Sequence, residues 1–223
     1  MGVTWRGAYD GNPFLGLYAR ASDKLALIPR GAHPKFVKGA EEALKVPLVK
    51  ASVDGCPYVG VYFAFNSRGI IAPPFVNKQE LKELQATGLE VTVLPDSRYC
   101  AVGNNVCCND NGALVHPDMP PALVKLVEKG LGVKALQMMI GGYKTVGAAC
   151  VATNKGWLGH NRMTDEEAGA LDELFGVKGS NGSVNSGTAL VGLGAVANSN
   201  GALCGETTTG YELSKIQQAL DLI

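Results

Sequence analysis

Residues 59–72 read Val59-Gly-Val-Tyr-Phe-Ala-Phe-Asn-Ser-Arg-Gly-Ile-Ile-Ala72. The first half, Val59 to Phe65, is β-branched and aromatic, the composition of a strand. Asn66-Ser-Arg-Gly69 is turn chemistry, because an asparagine side chain bonds nearby backbone and a glycine tolerates the sharpest geometry. Ile70-Ile-Ala72 starts a second strand that Pro73 stops, so the whole stretch predicts a hairpin.

The same grammar recurs along the chain. The apolar-glycine step appears as Leu15-Gly16, Val59-Gly60, Val102-Gly103, Val146-Gly147 and Val191-Gly192, at spacings of 44, 43, 44 and 45 residues. Six residues after each of these glycines stands a small polar residue: Ser22, Asn66, Asn109, Thr153 or Asn198. Nine residues after it comes a second glycine in four units (Gly69, Gly112, Gly156, Gly201), with Leu25 in the first. Columns that agree in one register over five copies are an internal repeat, and a period of this length marks an array of supersecondary units.

Each hairpin is followed by helix signals. Thr164-Asp-Glu-Glu167 and Thr209-Gly-Tyr-Glu212 fit a capping box, Asn77 with Glu80 a weaker version of it, and Pro120-Pro121 suits a first turn. Leucines at three- and four-residue spacing, such as Leu81 with Leu84 and Leu171 with Leu174, mark the buried faces. A third strand then reads as Val46–Val49, Glu90–Leu94 and Val133–Gln137, and faintly around Ser183–Asn185 in the fourth unit.

The fifth unit has no third strand after its helix, whereas Gly2-Val-Thr-Trp5 precedes the first unit as a strand without a sheet. Joining the two closes the array and removes two exposed sheet edges. The expected architecture is α/β: one domain, residues 1–223, forming a closed five-fold ring of β-β-α-β units. The units span about 9–53, 54–96, 97–141, 142–186, and 187–223 together with 1–8. The anchor glycines Gly16, Gly60, Gly103, Gly147 and Gly192 are expected where five first strands crowd toward an axis and a missing side chain permits close approach.

Composition narrows the function classes. Hydrophobic residues are 46% and charged residues 18% of the 223, so core material is ample and a long disordered stretch is not expected. Twenty basic residues balance twenty acidic ones, which argues against a protein holding nucleic acid mainly through phosphates. No signal-like or membrane-spanning apolar run occurs, and a cytoplasmic location is expected. There is no Walker-type loop, and no cysteine or histidine spacing suits zinc, so neither cofactor nor metal is expected. The six cysteines read mainly as buried thiols, with one of the adjacent pair Cys107 and Cys108 turned to a central channel.

Catalysis would need a thiol, an imidazole and a carboxylate brought together. Cys107, His116 and Asp110 are the candidates, but they share one hairpin; Cys204 has Glu206 nearby and no local histidine. The expected ring resembles the pentein fold, whose enzymes (arginine deiminases, amidinotransferases and relatives) use a Cys nucleophile, a His and carboxylates in the central channel. That resemblance implies the alternative reading, a Cys-dependent guanidine-modifying hydrolase or transferase. A stand-alone scaffold protein is a third possibility.

Several segments, in order, resemble one family. They are Leu15-Gly-Leu-Tyr-Ala-Arg20, Ala101-Val-Gly-Asn104, Asn109-Asp-Asn-Gly-Ala-Leu-Val-His-Pro-Asp118, Thr153-Asn-Lys-Gly156, Val184-Asn-Ser-Gly187 and Thr207-Thr-Thr-Gly-Tyr-Glu-Leu213. Together they are similar to the translation initiation factor 6 family, the archaeal and eukaryotic ribosome anti-association factors, from about Gly11 onward. Ser183, where a Thr is more usual, and Asn105, in place of an apolar residue, depart from its pattern. The resemblance implies a pentein ring without catalysis. It also implies a monomer that binds the intersubunit face of the large ribosomal subunit, chiefly through ribosomal proteins beside the sarcin–ricin loop with adjacent rRNA. Such a protein blocks small-subunit joining and acts in subunit maturation, with no membrane and no small-molecule substrate; release involves a GTPase and its cofactor protein. The expected contact residues, on the rim where the anchor glycines enter their strands, are Asn104 first, then Val61, Tyr58 and Ala149, with Leu17, Ala148 and Leu193 equivalent by pseudo-symmetry and the C-terminal segment a further candidate. Lacking an acidic, Ser-rich tail, the chain is expected to be archaeal in form.

Overall fold

Each repeat builds one three-stranded sheet with its second strand in the middle, antiparallel to the first and parallel to the third. The computed structural model describes residues 2–223; Met1, which begins the segment expected to close the ring, lies outside the described residues. Unit 1 pairs β2 (Arg20–Ala21), β3 (Ala26–Pro29) and β4 (Leu48–Ala51). Unit 2 pairs β5 (Ala64–Phe65), β6 (Gly69–Ala72) and β7 (Glu90–Val93). Unit 3 pairs β8 (Val106–Cys108), β9 (Gly112–Val115) and β10 (Lys134–Gln137). Unit 4 pairs β11 (Cys150–Ala152), β12 (Trp157–His160) and β13 (Ser180–Gly182). In unit 5, β14 (Ala195–Asn198) and β15 (Gly201–Gly205) take their third strand from the other end of the chain: β1 (Val3–Gly7) runs parallel to β15, with Val3 opposite Gly201 and Gly7 opposite Gly205.

A helix joins the second strand to the third in units 1 to 4, and unit 5 carries its helix after β15. The helices are Pro34–Leu44, Lys78–Gln85, Pro121–Leu131, Asp165–Phe175 and Gly210–Ala219. Asn77, Thr164 and Thr209 each head a complete capping box, so Asn77 is not the weaker version that its residue type suggests.

Two expectations are corrected. The anchor glycines do not lie in strands. They sit in single helical turns (Leu15–Leu17, Val59–Tyr62, Val102–Asn105, Val146–Ala149 and Val191–Gly194), and each first strand is the short piece that follows. Strand propensity in Val59 to Phe65 is overridden because the chain must turn in toward the axis before it can run along it. In unit 4 the third strand is Ser180–Gly182, and Ser183–Asn185 belong to the following loop, where Val184 bridges Thr188.

The anchor turns close a ring about the axis. A Cβ on Gly16 would lie 2.0 Å from the Gly192 carbonyl oxygen, on Gly60 2.0 Å from that of Gly16, and on Gly103 2.1 Å from that of Gly60. On Gly147 it would lie 2.1 Å from the Gly103 oxygen, and on Gly192 2.1 Å from that of Gly147. Each glycine therefore packs on the carbonyl of the one before it, all the way round, and no side chain fits at any of the five.

The second column of glycines serves a different contact. Gly69, Gly112, Gly156 and Gly201 lie against the carbonyls of Gly130, Leu174, Ala219 and Ala43, near the end of the next unit's helix. Leu25 departs from the column because the helix it faces, Lys78–Gln85, has 8 residues where the others have 10 or 11. Leu25 fills the vacated space in one core cluster with Leu84 and Leu89.

Every core cluster straddles a seam between neighbouring units. Val196 and Leu203 of unit 5 pack with Phe36 and Leu44 of unit 1, and Ile71 of unit 2 packs with Val127 and Leu131 of unit 3. The asparagines of the turn column staple three of these seams. Asn66 Nδ2 donates to the Asn109 and Leu131 carbonyls, Asn109 Nδ2 to those of Thr153 and Phe175, and Asn198 Nδ2 to those of Ser22 and Leu44. One end of each neighbouring helix is thus capped by the unit beside it, so no unit has a core of its own.

Candidate interaction face and central channel

The loops leading into the anchor turns share one face of the ring. Tight turns precede four of them, with Asp10, Asp54, Gly141 and Asn185 at positive φ. Carboxylates from the helix starts hold the loops at Asp54, Gly141 and Asn185. Glu80 accepts from Asp54 N at 2.9 Å, Gly55 N at 3.0 Å, Asn77 N at 3.0 Å and the Ser52 hydroxyl at 2.8 Å. Glu212 repeats this with Ser186 N, Gly187 N, Thr209 N and the Ser183 hydroxyl, and Glu167 takes Gly141 N and Thr164 N. Burial alone would raise Glu80 and Glu212, but these donors outweigh it and hold both carboxyls below the ordinary value. The hydroxyl is what position 183 needs, and Ser183 supplies it.

On this face Asn104 is half-buried in its anchor turn. Its Oδ1 is shielded from solvent and has no hydrogen-bond partner among the described residues. Leu17, Val61 and Leu193 are likewise half-buried, and Tyr58 is 41% exposed. Tyr58 ends a row of rings: Tyr9 stacks on Tyr18 at 4.3 Å, and Tyr18 meets Tyr58 at 5.4 Å. Tyr143, also 41% exposed, lies against His160. Ala149 is corrected: it is fully buried in the core with Val146 and Trp157, and Ala148 is 4% exposed, so neither offers side-chain surface to a partner. Asn105 is also buried, its Nδ2 donating to the Ala101 carbonyl at 3.0 Å, which explains how an amide replaces an apolar residue there.

Below the anchor turns, the first strands line the channel. Arg20 enters it and donates from Nε to the Gly60 carbonyl at 3.0 Å, and from Nη2 to those of Gly103 and Gly147 at 2.8 and 3.1 Å. Burial lowers its pKa from the usual value. Beneath it is a cavity of about 40 Å³ walled by Ala64, Phe65, Cys107, Cys108, Val151 and Val196, among others. The far end is closed by the hairpin turns. Asn154 Nδ2 donates to Asp23 Oδ2 and Asp110 Oδ2, Ser199 bonds Asp23, and Ser67 N donates to Asp110 Oδ1.

The three residues considered for catalysis do not converge. Cys107 is in the channel wall, Asp110 is at the closed tip of its hairpin, and His116 lies beyond the other end of β9. Four strand residues separate the last two, roughly 13 Å. His116 Nδ1 accepts the Asp118 N–H at 3.1 Å with its ring against Tyr99, and burial lowers its pKa. Burial pushes the Cys108 thiol far above its usual value, raises Cys150, and pushes Cys204 up to about 12, the opposite of an activated nucleophile. Cys56 and Cys100 are half-buried outside the channel.

Residues 5–219 match the model of the eIF-6 family. The chain belongs to that family. Its relatives include Translation initiation factor 6 of Methanosarcina mazei, 38% identical over 96% of both chains. The Thermococcus onnurineus factor is 37% identical over 96% of both chains, and the Pyrococcus abyssi factor 36% identical over 96% of this chain and 97% of its own. A solved dimethylarginine dimethylaminohydrolase structure is similar over 93% of this chain and 73% of its own, at 10% identity and a TM-score of 0.48. No helix among the described residues is long and apolar enough to cross a membrane.

In this eIF-6 family member the sequence pointed to Tyr58 but not to the Tyr9 and Tyr18 rings behind it, nor to the role of Arg20 in the channel. Four residues after each anchor stand Arg20, Ala64, Cys107, Val151 and Val196. One charge in a column of small or apolar residues was the available signal.

Proposed function

We propose that this protein binds the large ribosomal subunit through the anchor face and sterically prevents the small subunit from joining. Its family relatives are named as translation initiation factors, and a role in translation initiation with a ribosomal partner is the coarse reading this supports. The finer reading rests on the anchor face, and within it on Asn104. An amide oxygen shielded from water and unpaired costs about 1–3 kcal/mol, which a donor from a partner recovers once the half-buried side chain turns outward to meet it. Around it, half-buried Leu17, Val61 and Leu193 and the exposed Tyr58 supply the apolar and aromatic contact that a protein–protein interface uses. Ribosomal proteins beside the sarcin–ricin loop, with adjacent rRNA, are the proposed surface, and the formal net charge of zero suits a contact led by protein. The bound protein acts as a monomer in the cytoplasm, in large-subunit maturation as well as initiation, and does no catalysis.

Cosedimentation with separated subunits tests this, followed by a subunit-joining assay. Stoichiometric pelleting with large subunits alone, and fewer joined ribosomes, is the expected result. Pelleting with neither subunit overturns it.

A further inference from the structure

Arg20 is a cation without a counter-ion. Three of its five N–H bonds go to the Gly60, Gly103 and Gly147 carbonyls, which leaves the two on Nη1. Among the described residues, none accepts from Nη1, and no carboxylate is within ion-pairing distance. Arg20 is half-buried, not sealed in the core, and it lines open space. The space that Arg20 lines is the cavity of about 40 Å³.

That cavity has the size and wall chemistry of a halide site. A water needs roughly 10–15 Å³, so the space takes only a few water-sized bodies. With two unpaired N–H groups at its edge and no second cation, it suits a small monovalent anion better than a multiply charged one. The walls are alanine, valine, phenylalanine and thiol groups, which suit a polarisable anion and offer little competing solvation. Asp23 and Asp110 at the far end are engaged by Asn154, Ser199 and Ser67. A buried charge without a partner is costly, and an ion that can enter where no side chain can reach offsets that cost.

We propose that the axial channel binds one small monovalent anion, a chloride or its equivalent, on Arg20 Nη1. The ion completes the shell of a guanidinium that already holds three units together, so occupancy and ring stability rise together. This site lies beneath the anchor turns, and the proposal does not rest on the ribosomal reading.

Crystals of the full chain soaked in sodium bromide, measured at the bromine absorption edge, give the direct test. An anomalous peak within hydrogen-bonding distance of Arg20 Nη1 is expected. Bromide only at surface lysines, or water alone in the channel, overturns the proposal. In parallel, the melting temperature should rise with sodium bromide and not with the bulkier methanesulfonate at equal ionic strength, and Arg20→Met should abolish the difference. Equal response to both salts overturns the proposal. If Arg20→Met does not fold, the bromide map of the unaltered chain decides.

Discussion

The Ser52 hydroxyl donates to Glu80 Oε1 at 2.8 Å across 28 residues of chain. It fastens the end of unit 1 to the helix start of unit 2 through a carboxylate that also takes three backbone N–H groups. Glu212 makes the matching contact with Ser183. Both carboxyls have depressed pKa values in the folded state. Their stabilisation is therefore complete above the unfolded carboxylate value and is lost as pH falls through the lower folded one. Urea melts from pH 7 down to pH 3 should show acid loss that flattens in Glu80→Gln/Glu212→Gln, with the variant about 3 kcal/mol less stable at neutral pH. Parallel curves for the two proteins would refute this.

Gly103→Ala places a methyl where backbone already lies, 2.1 Å from the Gly60 oxygen, and should cost about 3 kcal/mol or more. Gly169, on the exposed face of the helix Asp165–Phe175, has nothing within 4 Å of an added Cβ. Gly169→Ala should raise stability by about 0.5–1 kcal/mol. Thermal melting compares the two, and a shift of the same sign in both would contradict the axial packing.

Removing residues 1–8 strips β1 from β15, along with Trp5, whose ring fills the space beside Gly39 and meets Phe36 edge-on at 6.0 Å. Calorimetry should show the whole transition move down as one, because the cores bridge the seams. A melt equal to that of the full chain would show that closure contributes nothing.

Asn104→Lys puts a long cation into the centre of the proposed contact, and it should weaken large-subunit binding by about 30-fold or more. Tyr58→Ala should cost about 10-fold. Asn104 touches no core cluster and Tyr58 meets one only at the edge, through the Tyr18 ring, so melting should fall by no more than a few degrees. Unchanged cosedimentation of both variants would remove the anchor face from the proposal.

Alkylation at pH 8 followed by mass spectrometry should mark Cys56 and Cys100 early. Cys107, Cys150 and Cys204, all buried, should react only on unfolding. Rapid labelling of Cys107 in the folded chain would reopen the catalytic alternative.

The ring was legible because its constraint is periodic. A glycine that must abut a carbonyl recurs wherever that contact recurs, and five copies make it visible. The shape of each anchor segment was not, because Val59, Val61, Tyr62 and Phe63 carry strand propensity while the helical turn they form is imposed by the neighbouring turns. Strand β13 was equally hidden: Ser180-Asn-Gly182 has no strand character and is held only by pairing with Leu158–His160. At the candidate site, Asn104 could be named by its column. That Ala149 points inward depends on which way its turn rotates, which composition does not encode.

The pairing of β1 with β15 also sets a clock. Val3 and Gly201 are partners, yet ribosomal synthesis at about 5–20 residues per second separates them by roughly 10–40 s. Throughout that interval Trp5 and the strand that carries it have no sheet to join. Closing the ring requires β1 to meet a strand made much later, a contact of high sequence separation that is slow to find. The nascent chain is most exposed to mispairing just before the ring locks.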